Sequence, residues 1–257
     1  MLVSSWRIFV PVGAIVVTPG IFFAPLQVGS SQYRTWESAG LAFERGLAFL
    51  AIAFCAVAVA QLRYGPRTSV SHILAGLSKR WATIVVMTLV LGLAAFAGDL
   101  PAKALNTGST IPSSNLVSLI LAGASLGVLS ALVLFVSMMC ITSAALESAT
   151  VADCFATVFR LLVRSDTALR TLALFGALLL WGWVFGALLV VGIELAKTTS
   201  IVRYIGEGVV LAPLWSFATL TMVVYYLDVR LRQGTDVPAR LAAELEDDSG
   251  EEASSAT

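Results

Sequence analysis

The residue types that most often carry catalysis or metal binding are few and scattered in this sequence. His72 is the only histidine, and no CxxC pair is formed by the three cysteines, Cys55, Cys140 and Cys154. A histidine without a second ligand predicts no metal site. Glu147 and Asp153 are six residues apart, so on one helix they face different sides and make a poor acid and base pair. We therefore expect no cofactor and no enzymatic activity; a polar cavity around Glu147, Asp153 and His72 would reopen the enzymatic alternative.

The acidic residues are also badly placed for ion-coupled transport. A coupled transporter usually carries a titratable residue inside the membrane. Here the acids at the ends of the long uncharged stretches are Glu44, Asp99, Glu147, Glu194 and Asp228. No acid lies in the middle of such a stretch, which argues against a proton-coupled pump.

The charged residues are few as well as confined to the ends of these stretches. The chain has 257 residues, of which 58% are hydrophobic and 12% charged, with sixteen Lys and Arg against sixteen Asp and Glu. Soluble domains carry about 25% charged residues, about twice this share. The composition excludes a soluble enzyme, a disordered protein and a nucleic-acid binder with a basic face. It predicts an all-α, polytopic integral membrane protein.

Six stretches without charged residues are each able to cross a bilayer as a helix. A hydrocarbon core of about 30 Å needs about 20 apolar residues. The stretches are apolar on all sides, whereas the strands of a membrane barrel alternate. The six predicted spans lie near residues 8–26, 46–62, 81–98, 117–146, 171–193 and 208–227. We expect one transmembrane domain over residues 1–232 and a disordered acidic tail over residues 233–257.

The basic residues predict the orientation of these spans. Eleven of the sixteen Lys and Arg fall on one side when the first span starts in the cytoplasm. Cytoplasmic loops are enriched in Lys and Arg, so both termini are expected inside. Thirteen Arg against three Lys suggest a prokaryotic source, and hence the plasma (inner) membrane. A cleaved signal peptide is the alternative for the first span, although Pro11, Pro19 and the length of the run favour its retention.

Two inner loops predict short amphipathic helices, here called elbows, that lie in the membrane interface. Their apolar stripes are Val70, Ile73, Leu74, Leu77 and Trp81 in residues 69–81, and Val151, Phe155, Val158, Phe159 and Leu162 in residues 150–164. In the second elbow, Thr150 and Asp153 have the spacing of a capping box, with Asp in place of Glu. Span, elbow and span thus occur twice. This pattern indicates either an internal duplication or the general tendency of basic loops beside a membrane to be amphipathic.

Small residues on the fourth and fifth spans predict close helix packing. Gly123 and Gly127 form one GxxxG pair, and Gly182 and Gly186 form another. This spacing lets two helices approach closely. We expect the two spans to pack on each other rather than to form a homodimer.

The end of the sixth span, APLWSFATLTMVVYYLDVRLRQGTD, resembles a known family. Its sequence is similar to the membrane domain of the glycerophosphoryl diester phosphodiesterase family, which comprises six-span prokaryotic proteins. The matching positions are Pro213, Tyr225, Tyr226, Asp228, Arg230, Arg232, Gly234 and Asp236. The acidic residue that usually precedes the glycine is missing, and Gln233 stands there. The segment from Ala144 to Leu172 also resembles the second elbow of the family, and with the first elbow the resemblance extends over most of residues 46–236.

This resemblance implies a fold and a topology rather than a reaction. Some family members carry a cytoplasmic phosphodiesterase domain, and we expect none here because the chain ends shortly after Asp236. Asp228 and Arg232 are four residues apart, acid first, which favours a helical ion pair. Arg230 points elsewhere and is expected to meet lipid phosphate.

The leading hypothesis is a non-enzymatic membrane scaffold or accessory protein in contact with anionic lipid. Each basic residue near an anionic leaflet contributes about 1 kcal/mol. The candidate headgroup contacts are Arg63, Arg67, Lys79, Arg80, Arg160, Arg164, Arg230 and Arg232. The simpler alternative is that these basic residues only determine the orientation of the spans in the membrane. The expected partners are membrane lipid and, as further options, another membrane protein or a second copy of the chain, but no nucleic acid. A transporter or channel lined by Ser118, Ser125, Ser130 and Ser137 is the rival function.

Overall fold

The computed structural model describes residues 33–62, 70–108, 116–147, 150–196, 200–241 and 243. The described residues are helical almost throughout and contain no β-strand, which confirms the predicted all-α class. In chain order the helices are α1 (Tyr33–Leu62), α2 (Val70–Ser78), α3 (Trp81–Gly108), α4 (Leu116–Leu146), α5 (Val151–Val163), α6 (Ser165–Ala196) and α7 (Ser200–Arg232).

Five of the six predicted spans lie within long helices. The spans at 46–62, 81–98, 117–146, 171–193 and 208–227 fall inside α1, α3, α4, α6 and α7. Most of these helices continue well beyond the apolar stretch. Backbone hydrogen bonds extend a helix through charged residues as well, whereas the charge pattern shows only the length of the apolar part. The first predicted span, 8–26, lies outside the described residues.

Among the residues whose side chains the structure describes, the hydrophobic core lies at one end of the long helices, which we call the packed end. There α1, α4 and α7 finish, α3 and α6 begin, and both elbow helices, α2 and α5, join the core. α4 is central and contacts α1, α3, α5, α6 and α7. Large side chains that are fully buried include Phe49, Ile73, Met139, Leu161 and Tyr226. The packed end therefore fixes the positions of the two elbows.

Away from this core, the long helices expose apolar side chains. By length and composition, two described stretches could cross a membrane, Val128–Leu146 and Thr167–Phe185. In the second stretch only Thr167 and Thr171 are buried. Its exposed side chains include Leu169, Leu172, Leu180 and Trp183. A surface helix of a soluble protein carries polar residues on its outer face, whereas residues 172–185 of α6 include none.

The second elbow, α5, begins at the predicted capping box, and this prediction is confirmed. The Thr150 hydroxyl accepts the Asp153 backbone N–H at 3.3 Å, and the Asp153 carboxylate accepts the Thr150 backbone N–H at 3.2 Å. These bonds satisfy donors that a helix start otherwise leaves open. The hydrogen bonds from Thr150 also hold the pKa of Asp153 below its usual value.

The chain beyond α7 corrects the predicted boundary of the tail. Gly234 has a φ of +80°, its N–H donates to the Leu231 carbonyl, and the Thr235 N–H donates to the Arg230 carbonyl. This Schellman arrangement ends the helix. Residues 237–241 then form a helical turn, which buries Val237 and Leu241 in the core. Residues 233–241 are thus ordered, because these two apolar side chains return to the bundle. Residues 244–257 of the predicted tail lie outside the described part.

Candidate functional site

The end of α7 forms a polar centre with the end of α4. The Tyr226 hydroxyl donates to Glu147 Oε1 at 2.5 Å. Arg230 Nε donates to the same oxygen at 2.7 Å, and Arg230 Nη2 donates to Glu147 Oε2 at 2.7 Å. The Gln233 side-chain oxygen accepts from Arg230 Nη1 at 3.1 Å. The Glu147 carboxylate therefore accepts three hydrogen bonds from one neighbouring helix.

This arrangement corrects the expectation that Arg230 meets lipid phosphate. The side chains of Arg230 and Glu147 are only 18% and 11% exposed. A forked guanidinium matches a carboxylate with two parallel hydrogen bonds, which is the stronger geometry for such a pair. The charge of Arg230 is used inside the bundle, so this residue leaves the set of candidate lipid contacts.

The neighbouring tyrosine of α7 reaches the other side of the second elbow. The Tyr225 hydroxyl lies 2.5 Å from the Thr171 hydroxyl, which donates to the Thr167 carbonyl at 2.9 Å. The Thr167 hydroxyl in turn donates to the Leu161 carbonyl, in the last turn of α5, at 2.7 Å. The Thr167 hydroxyl thus satisfies a carbonyl that the end of α5 leaves open.

The two tyrosines together hold α5 from both ends. Tyr226 binds Glu147, which directly follows α4 and comes just before the elbow. Tyr225 binds Thr171, which lies in the first turns of α6 just after the elbow. Consecutive residues of one helix point in different directions, and here the two directions lead to α4 and to α6. The end of α7 is thus hydrogen-bonded to the chain on both sides of α5.

The remaining family-like residues have local structural roles. Asp228 and Arg232 form the predicted ion pair, with Arg232 Nε donating to Asp228 Oδ2 at 2.8 Å. Gly234 provides the positive φ that ends α7, and the Asp236 carboxylate accepts the Ala239 N–H at 3.3 Å, which caps the following turn. Pro213 lies in α7, but its side-chain surroundings are outside the described part.

The buried thiol beside this centre is not poised for nucleophilic chemistry. Cys154 is completely buried on the inner face of α5. Burial raises the pKa of the Cys154 thiol, and the negative charges of Glu147 and Asp153 raise it further. The thiolate is the reactive form of cysteine, so this environment keeps Cys154 inert. Among the described residues, no group of three or more His, Cys, Asp or Glu side chains is arranged to hold a metal ion.

The structure separates the predicted headgroup contacts into buried and exposed residues. Arg80 is only 4% exposed and donates from Nη1 to the Gly76 carbonyl at 3.0 Å, so it is drawn into the bundle and is no headgroup contact. Lys79 is exposed, and so are two arginines of the second elbow, Arg160 and Arg164. Arg232 is exposed and paired with Asp228. Arg63 and Arg67 lie outside the described residues.

The predicted apolar stripe of α5 is split between two faces. Val158 is buried together with Cys154 and Leu161. Phe155, Phe159 and Val163 are 37%, 66% and 63% exposed, and they follow one another at four-residue steps. We call these three the Phe155 ridge. Positions four apart on a helix lie on one face, so α5 carries an exposed apolar face as well as a buried one.

The predicted packing of GxxxG pairs is not found at Gly182. A β-carbon placed there would have no atom within 4 Å, and the flanking Trp183 and Val184 are exposed. α4 and α6 instead meet through Phe135 and Phe175, whose ring centroids are 5.4 Å apart. The surroundings of Gly123, Gly127 and Gly186 are outside the described part.

The serines proposed to line a solute path do not share one surface. Ser130 is exposed, whereas Ser137 is 1% exposed and donates to the Val133 carbonyl of its own helix at 2.7 Å. Thr142 likewise donates to the Met138 carbonyl at 2.8 Å. A hydroxyl that bonds its own helix needs no further partner. The side chains of Ser118 and Ser125 lie outside the described part.

Comparisons with known proteins return no relative from which a family can be assigned. No family model, no curated protein and no solved structure matches this chain. The likeness to the phosphodiesterase membrane domain therefore rests on the residues quoted from the sequence. The local roles of Asp228, Gly234 and Asp236 are physical reasons for those residue types at those positions.

Proposed function

We propose that this protein is a six-span integral membrane protein that serves as a non-enzymatic scaffold or accessory protein in contact with anionic lipid. The observation that carries this proposal is the exposed apolar surface of α6, where Thr167 and Thr171 are the only buried residues in the stretch Thr167–Phe185. Water would make such a surface costly, at about 25 cal/mol for each Å² of apolar area. Hydrocarbon removes that cost, and a helix satisfies its own backbone there.

In this proposal the packed end faces the cytoplasm. Both elbows lie at this end, with the basic residues Lys79, Arg160 and Arg164 exposed on it. Basic residues are retained on the cytoplasmic side of membrane proteins. The orientation places the end of α7 inside, and an even number of spans places the N-terminus there too. The source would be prokaryotic and the location the plasma (inner) membrane, as the resemblance to the phosphodiesterase membrane domain also implies.

The scaffold role is favoured over the two rivals by how the polar groups are used. Glu147 and Arg230 pair with each other within the bundle, so this proposal assigns them a structural role. Ser137 and Thr142 bond their own helix, which removes support for a path lined by α4. The surface that remains for recognition is the basic and apolar exterior of the packed end.

Membrane topology tests this proposal. Cys55, Cys140 and Cys154 are buried, so the native background to thiol labelling should be low. Single cysteines are introduced at Ser78, at Arg240 and at position 110, in the predicted outer connector. In intact cells, a membrane-impermeant maleimide should label position 110 and spare the other two, and the protein should resist extraction by alkaline carbonate. Release by carbonate, or labelling at Ser78 and Arg240, would contradict the proposal.

A further inference from the structure

We propose that the exposed side of α5 is the surface that binds the headgroups of anionic phospholipid. This inference rests on the proposed function and deepens it, since it assigns lipid contact to one helix rather than to a general belt. The site consists of the Phe155 ridge together with Arg160 and Arg164. Its occupant is an anionic phospholipid of the inner leaflet.

The helix has three faces, each suited to a different environment. Cys154, Val158 and Leu161 are buried in the bundle. The Phe155 ridge is exposed and apolar. With about 100° per residue, Arg160 and Arg164 lie next to the ridge on the side away from Val158, and both are exposed. An interfacial helix places its apolar face at the acyl boundary and its basic face among the headgroups.

Exposed apolar side chains also follow in α6, where Leu169 and Leu172 are 75% and 65% exposed, with the exposed Arg170 between them. In the proposed six-span arrangement the apolar surface of α6 is covered by acyl chains. Because α6 begins two residues after Val163, this inference places the Phe155 ridge at the level where acyl chains meet headgroups. The basic side of α5 then stands at the depth of the phosphates.

Charge complementarity selects the anionic lipid as the occupant. Arginine binds phosphate oxygens through two parallel N–H donors. Arg160 and Arg164 are one turn apart, so they present their donors on one side of the helix. Asp153, an acid among the described residues of this surface, accepts hydrogen bonds from Thr150 in the capping box and also interacts with the charge of Arg160. A surface of arginines beside exposed phenylalanines fits an anionic headgroup better than a zwitterionic one.

The experiment measures lipid preference in the full-length protein. The protein is reconstituted in nanodiscs with equal amounts of phosphatidylglycerol and phosphatidylcholine, transferred to mild detergent, and examined by native mass spectrometry for retained lipid. We expect the wild-type protein to retain phosphatidylglycerol preferentially. The double variant Arg160→Gln and Arg164→Gln should lose this preference by about fivefold for each arginine, and thermal unfolding of the variant checks that it is folded.

A matched control removes the same charge from the same end of the bundle. Arg232 is paired with Asp228 and Arg240 is exposed beyond α7, so the double variant Arg232→Gln and Arg240→Gln should keep the preference within about twofold. An equal loss in both variants, or no preference for phosphatidylglycerol in the wild-type protein, would overturn the inference. Either result would leave the six-span topology standing if the maleimide labelling supports it, so the two proposals fail separately.

Discussion

The two elbow helices follow the same plan and are held in different ways. α2 packs closely on α1, where a β-carbon at Gly76 would lie 3.2 Å from Val57 Cγ1, and the following Arg80 is buried. α5 is held at its two ends by Tyr226 and Tyr225 of α7, through Glu147 and Thr171. The first elbow is held by close packing, and the second, which also buries Cys154, Val158 and Leu161, is held in addition by hydrogen bonds at its two ends.

The exposed sides of the two elbows also differ. α2 exposes Ser71, Leu74, Ala75 and Ser78, and no Lys or Arg lies within the helix. The outer side of α5 bears the Phe155 ridge and two exposed arginines. Long helix, elbow and long helix do occur twice in the fold, and a true internal duplication stays a prediction. The contrast indicates that the two elbows have different roles.

The largest effect on stability is expected from breaking the ion pair between Glu147 and Arg230, next to the start of α5. Glu147→Gln leaves Arg230 as an uncompensated charge that is only 18% exposed. Breaking a buried pair in this way costs 3–5 kcal/mol, and the remaining exposure reduces this to about 3 kcal/mol of unfolding free energy. Unfolding followed by circular dichroism in mixed micelles measures it.

A matched control for this variant is Asp228→Asn, which breaks an exposed pair on the same helix. It should cost only about 0.3–0.5 kcal/mol. Equal losses for the two variants would show that Glu147 is not a special anchor of α5.

A second test fills the close approach of the first elbow. Gly76→Leu forces a large side chain against Val57, which is completely buried. Overpacking of this kind costs about 2 kcal/mol. Gly182→Leu is the control, because nothing lies within 4 Å of a β-carbon there. A Gly76→Leu protein as stable as the control in the same unfolding assay would show that α2 is not held by steric fit.

A smaller effect is expected at the far end of α5. Tyr225→Phe keeps the aromatic ring and removes the hydroxyl that bonds Thr171. One hydrogen bond lost from a partly buried site costs about 1 kcal/mol. Amide hydrogen exchange should rise in the last turn of α5 and the first turns of α6. Faster exchange spread evenly over all helices would contradict a local role for Tyr225.

The smallest effect concerns the capping box that begins α5. Thr150→Ala removes the cap and should cost about 0.5 kcal/mol. Because the pKa of Asp153 is lowered in the folded protein, its contribution is present above the pKa of the unfolded chain. It is lost as the pH falls through the lower folded value. The acid-induced loss of stability should therefore be shallower in Thr150→Ala than in the wild type when unfolding is followed between about pH 6 and 3; identical slopes would exclude this contribution.

Local features were predictable from the sequence, and contacts between helices were not. The capping box and the Asp228–Arg232 pair follow from spacings of three and four residues, which a helix turns directly into contacts. The Glu147–Arg230 pair joins residues 83 apart in sequence, and no periodicity encodes such a distance. One feature of the sequence did favour this pair, because Glu147 and Arg230 follow two spans that end on the same predicted side of the membrane.

The expectations that were wrong concerned Arg80, Arg230 and Gly182, whose side-chain directions or packing partners a sequence pattern does not encode. A basic residue after an apolar stretch predicts an inner membrane boundary, but it does not say whether the side chain turns outward. Arg80 turns to the Gly76 carbonyl and Arg230 turns to Glu147, whereas Arg160 is exposed. A GxxxG spacing likewise permits close packing without choosing a partner, and Gly182 has none within 4 Å.

The most direct test of this account measures the depth of α5 in the membrane. Nitroxide labels are placed singly at Phe155, Phe159 and Val163 and, for comparison, at Arg160 in protein reconstituted in vesicles with phosphatidylglycerol. Accessibility to oxygen and to a water-soluble nickel reagent is then read by electron paramagnetic resonance. We predict that labels on the Phe155 ridge favour oxygen, as at the acyl boundary, and that the Arg160 label favours the nickel reagent. Equal nickel accessibility at all four positions would place α5 in water and contradict the account.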